Sequence, residues 1–72
     1  MKIDGNTTLG QLAIRAAQLG IEDIMVHPLG VTDGYRVSVH TASKVCIGHA
    51  ASMSDAINTA FERIALAIGA SL

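Results

Sequence analysis

The spacing of apolar and polar residues changes along the chain and predicts two helices on either side of three strands. In two segments the apolar residues recur every three to four positions, which is the period of an amphipathic helix. Tyr35 to His40 alternates strictly between apolar and polar residues, as expected of a half-buried strand. The sequence therefore predicts a single α+β domain over residues 1–72, with residues 1–6 as a lead-in arm or a short strand.

The first helix is predicted from about Leu9 to Leu19. Thr8 and Gln11 fit a T-x-x-Q capping box, in which each side chain satisfies a free backbone N–H of the first turn. Gly20 follows at the position where many helices end in a left-handed residue. These residues predict both the start and the end of the helix.

The second helix is predicted to start at the S-x-x-D pattern of Ser52 and Asp55 and to end before Gly69. Its last turns, residues 64–68, are apolar all round, unlike a helix with one solvated side. We therefore predict that this end of the helix is a self-association surface. The residues predicted to form it are Ile64, Leu66 and Ile68.

The three strands follow one another closely, which predicts an antiparallel meander with both helices packed on one face. A three-residue loop between the second and third strands would pair His40 with Lys44, Val39 with Val45 and Val37 with Ile47. That register places the apolar residues of both strands on one face. The predicted core is Leu9, Leu12, Ala16, Ile24, Val26, Tyr35, Val37, Val39, Val45, Ile47, Ile57, Phe61 and Ile64.

Composition indicates a partner chain. Only 15% of the residues are charged, against about 25% in an average domain. Hydrophobic residues make up 50%, and a chain of 72 residues has little interior in which to bury them. We therefore predict that another chain covers part of this surface, most simply a second copy in a homodimer.

Charge and cysteine usage predict a cytoplasmic protein that does not bind membranes. The net charge of −1 provides no general attraction to nucleic acid or to anionic lipid. No segment approaches the ~20 apolar residues that a membrane span needs. The single cysteine, Cys46, forms no intramolecular disulfide, and residues 1–5 lack the apolar run of a signal peptide.

Few residues suggest chemistry. His27, His40, His49 and Cys46 are zinc ligands by type, but no C-x-x-C or H-x-x-x-H pair is present. We therefore predict no metal and no cofactor. Cys46 and His40 are expected on the outer face of adjacent strands, where a histidine can activate a thiolate. No orienting acid or oxyanion pattern accompanies them, so the chain is predicted not to be an enzyme.

The solvent-facing side of the sheet, opposite the helices, is the main candidate surface. It is predicted to carry two permanent positive charges, two histidines and no acid, together with Met25 and Cys46, which suits a negatively charged partner. The alternative is that this side is polar only because water covers it. The predicted binding surface consists of Arg36, Ser38, His40, Lys44 and His27.

The Tyr35-x-Val37-x-Val39 segment resembles the central strand of the double-stranded-RNA-binding domain. The third strand and second helix of that family also have a residue pattern that resembles Gly48, Ser52, Ala56 and Ala60 in this chain. The resemblance covers about the last 40 residues and implies an α-β-β-β-α fold. The family grips phosphates with lysines at the start of its second helix. The matching positions here are Met53, Ser54 and Ile57.

The leading prediction is a non-catalytic, cytoplasmic protein-interaction module. It would be a small accessory or regulatory factor, of bacteria or their phages, that acts by binding another protein. The alternative is a nucleic-acid-binding domain on a scaffold similar to the double-stranded-RNA-binding domain, with Arg36, Lys44 and Arg15 as the cations that contact phosphate.

Overall fold

A computed structural model describes residues 3–69 and confirms the α-β-β-β-α order. The elements are α1 (Leu9–Gln18), β1 (Asp23–Pro28), β2 (Tyr35–His40), β3 (Val45–Ala50) and α2 (Met53–Ile68). The three strands form one antiparallel sheet in the order β1-β2-β3. In the part of the lead-in arm that the structure describes, residues 3–6, the chain forms a turn and no strand; residues 1 and 2 lie outside the described residues.

Both helices begin at the predicted capping residues. Thr8 Oγ1 accepts a hydrogen bond from the Gln11 N–H at 3.1 Å, and Gln11 Oε1 accepts one from the Thr8 N–H at 2.9 Å. Ser52 Oγ accepts a hydrogen bond from the Asp55 N–H at 3.2 Å. Gly69 ends α2 with a left-handed φ of 74°. Local hydrogen bonds therefore determine where each helix starts.

The pairing of β2 with β3 differs by one residue from the prediction. His40 lies opposite Val45, and Val39 lies opposite Cys46. The predicted pairs His40–Lys44, Val39–Val45 and Val37–Ile47 are therefore wrong. Because side chains alternate between the two faces of a strand, this shift moves the apolar set of β3 to the side away from the helices.

The loop between β2 and β3 explains the register. It contains four residues, Thr41 to Lys44, rather than three. The Thr41 N–H donates to the Lys44 carbonyl oxygen at 2.8 Å. Thr41 Oγ1 also accepts hydrogen bonds from the N–H groups of Ser43 at 3.3 Å and Lys44 at 3.0 Å. These contacts stabilise the longer turn, since a threonine hydroxyl can replace missing backbone partners.

Gly48 brings α2 unusually close to β3. A Cβ at this position would lie 2.2 Å from the Ala56 carbonyl oxygen and 2.5 Å from the Ala60 nitrogen. Both alanines are fully buried, as is Ala65. Close packing of a small-residue helix on a glycine therefore buries part of the alanine content without a partner chain.

The core lies between α2 and the strands β2 and β3. Val37, Val39 and Ile64 are the largest fully buried side chains, and α2 contacts both strands. The first helix contributes Ala16, and Leu19 follows directly after it. Four members of the predicted core are exposed instead, namely Leu9, Val26, Val45 and Ile47.

The N-terminal arm is attached to α2 by Asn58. Its side-chain oxygen accepts a hydrogen bond from the Ile3 N–H at 2.8 Å, and its amide nitrogen donates to the Ile3 carbonyl oxygen. The Ile3 side chain is buried in the core. Asn58 therefore pairs with both backbone groups of Ile3 and holds the described part of the arm against α2.

Candidate functional site: the outer sheet face

The outer sheet face is defined here as the strand side chains that point away from both helices. Strand pairing arranges these side chains in three parallel rows. The rows are His27–Arg36–His49, Met25–Ser38–Ile47 and Asp23–His40–Val45. The first row is polar and cationic, the second has an apolar residue at each end, and the third joins an acid, a histidine and a valine.

Four of the five residues predicted for the binding surface lie on this face. They are His27, Arg36, Ser38 and His40. Lys44 belongs to the preceding loop because the register is shifted, and its predicted place on the face is wrong. His27 lies opposite Arg36 across the pairing of β1 with β2.

Apolar residues occupy more of the outer face than the sequence indicated. Met25 is 42% exposed, Val45 58% and Ile47 45%. Val45 and Ile47 had been assigned to the core, because alternation shows which residues share a face but not which face is buried. The small residues Gly48 and Ala50 were the available indication, since only small inward residues let a helix pack closely on a strand.

Charge on the outer face is divided between its two ends. Arg36 lies between His27 on one neighbouring strand and His49 on the other. His49 Nε2 lies 3.1 Å from the Asp33 carbonyl oxygen, which anchors the imidazole to the loop before β2. At the other end Asp23 lies opposite His40. The predicted absence of acids from this face is therefore wrong. The face carries the positive charge of Arg36 at one end and the negative charge of Asp23 at the other.

His40 has one nitrogen with no partner among residues 3–69. Its Nε2 is buried and makes no hydrogen bond there. Its cross-strand neighbours are Asp23 on β1 and Val45 on β3. A buried polar nitrogen without a partner is unfavourable by about 1–3 kcal/mol, so contact with a hydrogen-bonding group would stabilise this corner of the face.

The predicted pairing of Cys46 with His40 does not form. Cys46 lies opposite Val39 and packs against the core, whereas His40 is on the outer face. Residues 3–69 contain no group of three or more histidine, cysteine, aspartate or glutamate side chains arranged to hold a metal ion. Neither described helix combines the length and apolar character needed to cross a bilayer.

The residues predicted for self-association separate into two environments. Ile64 is fully buried inside the domain, so it is not available to a partner. Leu66 and Ile68 are 71% and 42% exposed, on the side of α2 that faces away from the sheet or at its end. Ile64 continues the inward stripe of α2, so its place in the predicted core is correct and its place in the self-association surface is wrong.

The three cations proposed for the nucleic-acid alternative lie on different elements. Arg36 is on the outer face and Lys44 is in the following loop, four residues beyond the end of β2. Arg15 is on α1, on the other side of the sheet, and its guanidinium donates to Gln18 Oε1 at 3.3 Å. These cations therefore do not combine into one basic face.

A second surface feature lies on the helical side. A groove of about 300 Å³ runs between the lead-in arm, the start of α1 and the start of α2. Leu9 and Met53, both exposed, line it together with Leu12 and Ile57. The groove carries no charged side chain other than Asp4, so it offers less chemical specificity than the outer face.

No protein-family model, curated protein or solved structure matches the chain. The function is therefore inferred from the geometry of the described residues.

Proposed function

We propose that this chain is a non-catalytic protein-interaction module whose outer sheet face binds a segment of another protein. The observation that carries the proposal is the exposure of Met25, Val45 and Ile47 on one face of the sheet. Val45 and Ile47 are neighbours on this face of β3, and Met25 lies beyond Ser38 in the same row as Ile47. Such an apolar patch, with polar side chains among and around it, is typical of protein–protein contact surfaces. We further propose an accessory or regulatory role in the cytoplasm.

The charges beside the patch define the chemistry of the partner segment. Arg36, with a histidine on each side, favours a carboxylate near that end of the face. Asp23 disfavours a second carboxylate at the opposite corner. The proposed ligand is therefore an apolar segment with an acidic residue at one end, lying with its apolar side chains over Met25 and Ile47.

Nucleic-acid binding has less support from the same geometry. Proteins that bind nucleic acid neutralise several phosphates with lysine or arginine, and their affinity depends on that number. Here the cations are dispersed, and the first turn of α2 contains Asp55 in place of lysines. No observation on the described residues favours this alternative over a protein partner.

The test is a pull-down from the native host with a double variant of the apolar patch. Val45→Thr with Ile47→Thr keeps both side chains β-branched but makes the patch polar. Full burial of such a side chain contributes about 1.5–3 kcal/mol, so we expect captured partner to fall by about tenfold or more. The lysate is treated with nuclease, and Leu66→Gln, which changes an exposed leucine on α2, is the matched control.

The three baits distinguish the proposals. A protein held by the wild type and by Leu66→Gln, but lost by the double variant, supports the outer face. Equal capture by the double variant contradicts it. Loss with Leu66→Gln alone assigns binding to α2. Recovery of nucleic acid from untreated lysate, with no protein after nuclease treatment, contradicts the proposal and supports the alternative.

A further inference from the structure

The first strand is an edge strand whose outer side is unpaired within residues 3–69. The sheet order β1-β2-β3 places β2 on one side of β1 and no strand on the other. The centre of β1, Ile24 to Val26, is uncharged, and both Met25 and Val26 are exposed. An edge of this kind is a template for pairing with another strand.

The other edge of the sheet is protected. On β3, the Arg63 guanidinium reaches from α2 and donates to the Ile47 carbonyl oxygen at 2.8 Å. Among the side-chain hydrogen bonds of residues 3–69, none reaches the backbone of β1. The two edges therefore differ, and β1 is the one open to a further strand.

Backbone hydrogen bonds alternate in direction along a strand, and this alternation shows which backbone groups of β1 point to its free edge. The Leu29 N–H donates to the Gly34 carbonyl oxygen at 2.9 Å, so residue 29 points towards β2. Strand residues alternate, so residues 25 and 27 also point towards β2. Ile24, Val26 and Pro28 consequently direct their backbone groups outward. Proline has no backbone N–H, and at position 28 that group would point away from β2, so no hydrogen bond to β2 is lost.

We propose that β1 pairs antiparallel with β1 of a second copy of this chain, about a two-fold axis through Met25. Ile24 of each copy then lies opposite Val26 of the other, and their backbones form four N–H···O=C bonds. Met25 lies opposite Met25, and Asp23 lies opposite His27. The pairing joins two three-stranded sheets into one of six strands.

The sequence of β1 selects this register. Each end of the paired segment brings a carboxylate, Asp23, next to an imidazole, His27, so the edge is complementary to itself. A shift by two residues in one direction would place Pro28 opposite Ile24 and lose an N–H donor. A shift in the other direction would place Asp23 opposite Met25 and separate it from His27.

The inner side of β1 also has room for a neighbouring strand. A groove of about 310 Å³ separates α1 from β1, lined by small residues such as Ala13 and Ala17 and by Ile24. The inference is independent of the proposed function, because it depends on the backbone edge and not on what the outer face binds. Pairing would, however, extend the apolar row of Met25 and Ile47 across both copies.

Disulfide trapping tests the two-fold position directly. In a Cys46→Ala background, Met25→Cys would place two thiols across a non-hydrogen-bonded pair, where the Cα atoms are about 4.5 Å apart and a disulfide can form. We expect rapid covalent dimer formation under mild oxidation. Val45→Cys in the same background is the control, because residue 45 is also exposed on the outer face but lies on β3.

Charge exchange provides a second, non-covalent test by light scattering over a concentration series. His27→Asp opposes two carboxylates at both ends of the pairing and should weaken the dimer by about tenfold or more. Adding Asp23→His restores opposite partners and should restore the dimer. His49→Asp is the matched control, because His49 also neighbours Arg36 but lies on the other edge.

The two experiments give decisive outcomes. Faster trapping at residue 25 than at residue 45, with loss and recovery of the dimer through the charge exchange, supports the pairing. A wild-type chain that stays monomeric at every concentration overturns it. A dimer that traps equally at both positions, or that His49→Asp weakens as much as His27→Asp, also overturns it, because the interface would then lie elsewhere.

Discussion

The two halves of the domain differ in how completely their apolar residues are enclosed. In the half formed by α2, β2 and β3, the inward residues Val37, Val39 and Ile64 are fully buried. In the half formed by α1 and β1, Leu9 and Ile14 are 84% and 62% exposed, and Val26 is also exposed. The first half contains the largest fully buried side chains, and the second leaves apolar surface available for contact.

The cause of this difference is the size of the residues at the contact. Gly48 on β3 and the alanines of α2 let that helix approach the sheet closely, which maximises van der Waals contact. The first helix has no comparable partner on β1, where Ile24 lines a groove and Val26 is exposed. Substitutions should therefore have unequal effects in the two halves.

The largest expected effect is that of Gly48→Ala. The new Cβ would lie 2.2 Å from the Ala56 carbonyl oxygen, so α2 must move away from the sheet. We expect the free energy of unfolding, measured by urea titration with circular dichroism, to fall by about 3 kcal/mol, the upper end of the usual cost of overpacking. A domain of this size has a total of only about 4–10 kcal/mol, so the variant should be largely unfolded at modest denaturant concentrations.

Gly10→Ala is the matched control in the other half. A Cβ there would have Thr8 Oγ1 as its nearest neighbour, at 3.8 Å. The same chemical change should stabilise the chain by about 0.5–1 kcal/mol, because alanine favours a helix over glycine. Equal effects of the two substitutions would disprove the unequal packing of the halves.

The second prediction compares two isoleucines on the two helices. Ile64→Ala leaves a cavity in a fully buried site and should cost about 2–4 kcal/mol. Ile14→Ala removes an exposed side chain and should change stability by less than about 0.5 kcal/mol. Thermal and urea unfolding of both variants would measure the difference. A large loss with Ile14→Ala would indicate that another chain covers α1.

Apart from the control variants, the smallest expected effect concerns the attachment of the arm. Asn58→Ala removes both hydrogen bonds to Ile3 and should cost about 1–2 kcal/mol. Asn58→Asp keeps an oxygen that accepts from the Ile3 N–H but loses the N–H that donates to the Ile3 carbonyl oxygen. The Ile3 carbonyl should therefore be unpaired in this variant, as in Asn58→Ala. Amide hydrogen exchange at residue 3 should accelerate in Asn58→Ala while β2 stays protected. Unchanged exchange would show that burial of the Ile3 side chain alone holds the arm.

Most of the fold could be predicted from the sequence because its determinants are local. The capping residues Thr8 and Ser52 and the alternation in β2 depend only on near neighbours, and they define the elements correctly. The inward face of β3 is not a local property. Val45 and Ile47 alternate as well as Cys46 and Gly48 do, and the choice depends on a small-residue helix packing above them.

The candidate site could likewise be predicted only where it depends on the local alternation of side chains. The outward residues of β1 and β2, including Arg36 and His27, follow from alternation and were placed on the correct face. Val45 and Ile47 were missed and Lys44 was misplaced because the loop that Thr41 organises is one residue longer than predicted, and the pairing of β3 shifts with it. The length of this loop and the small inward residues of β3 agree on the same register, and the outer face is therefore partly apolar.

The close packing of Gly48 beneath α2 also bears on the order of folding. β3 and α2 are separated by only Ala51 and Ser52, so their contact closes a short loop at little entropic cost. We expect the folding nucleus to form between these neighbours, with β1 and α1 joining later. During synthesis the amino-terminal half would then leave the ribosome without its core, and the domain would fold only once α2 has emerged.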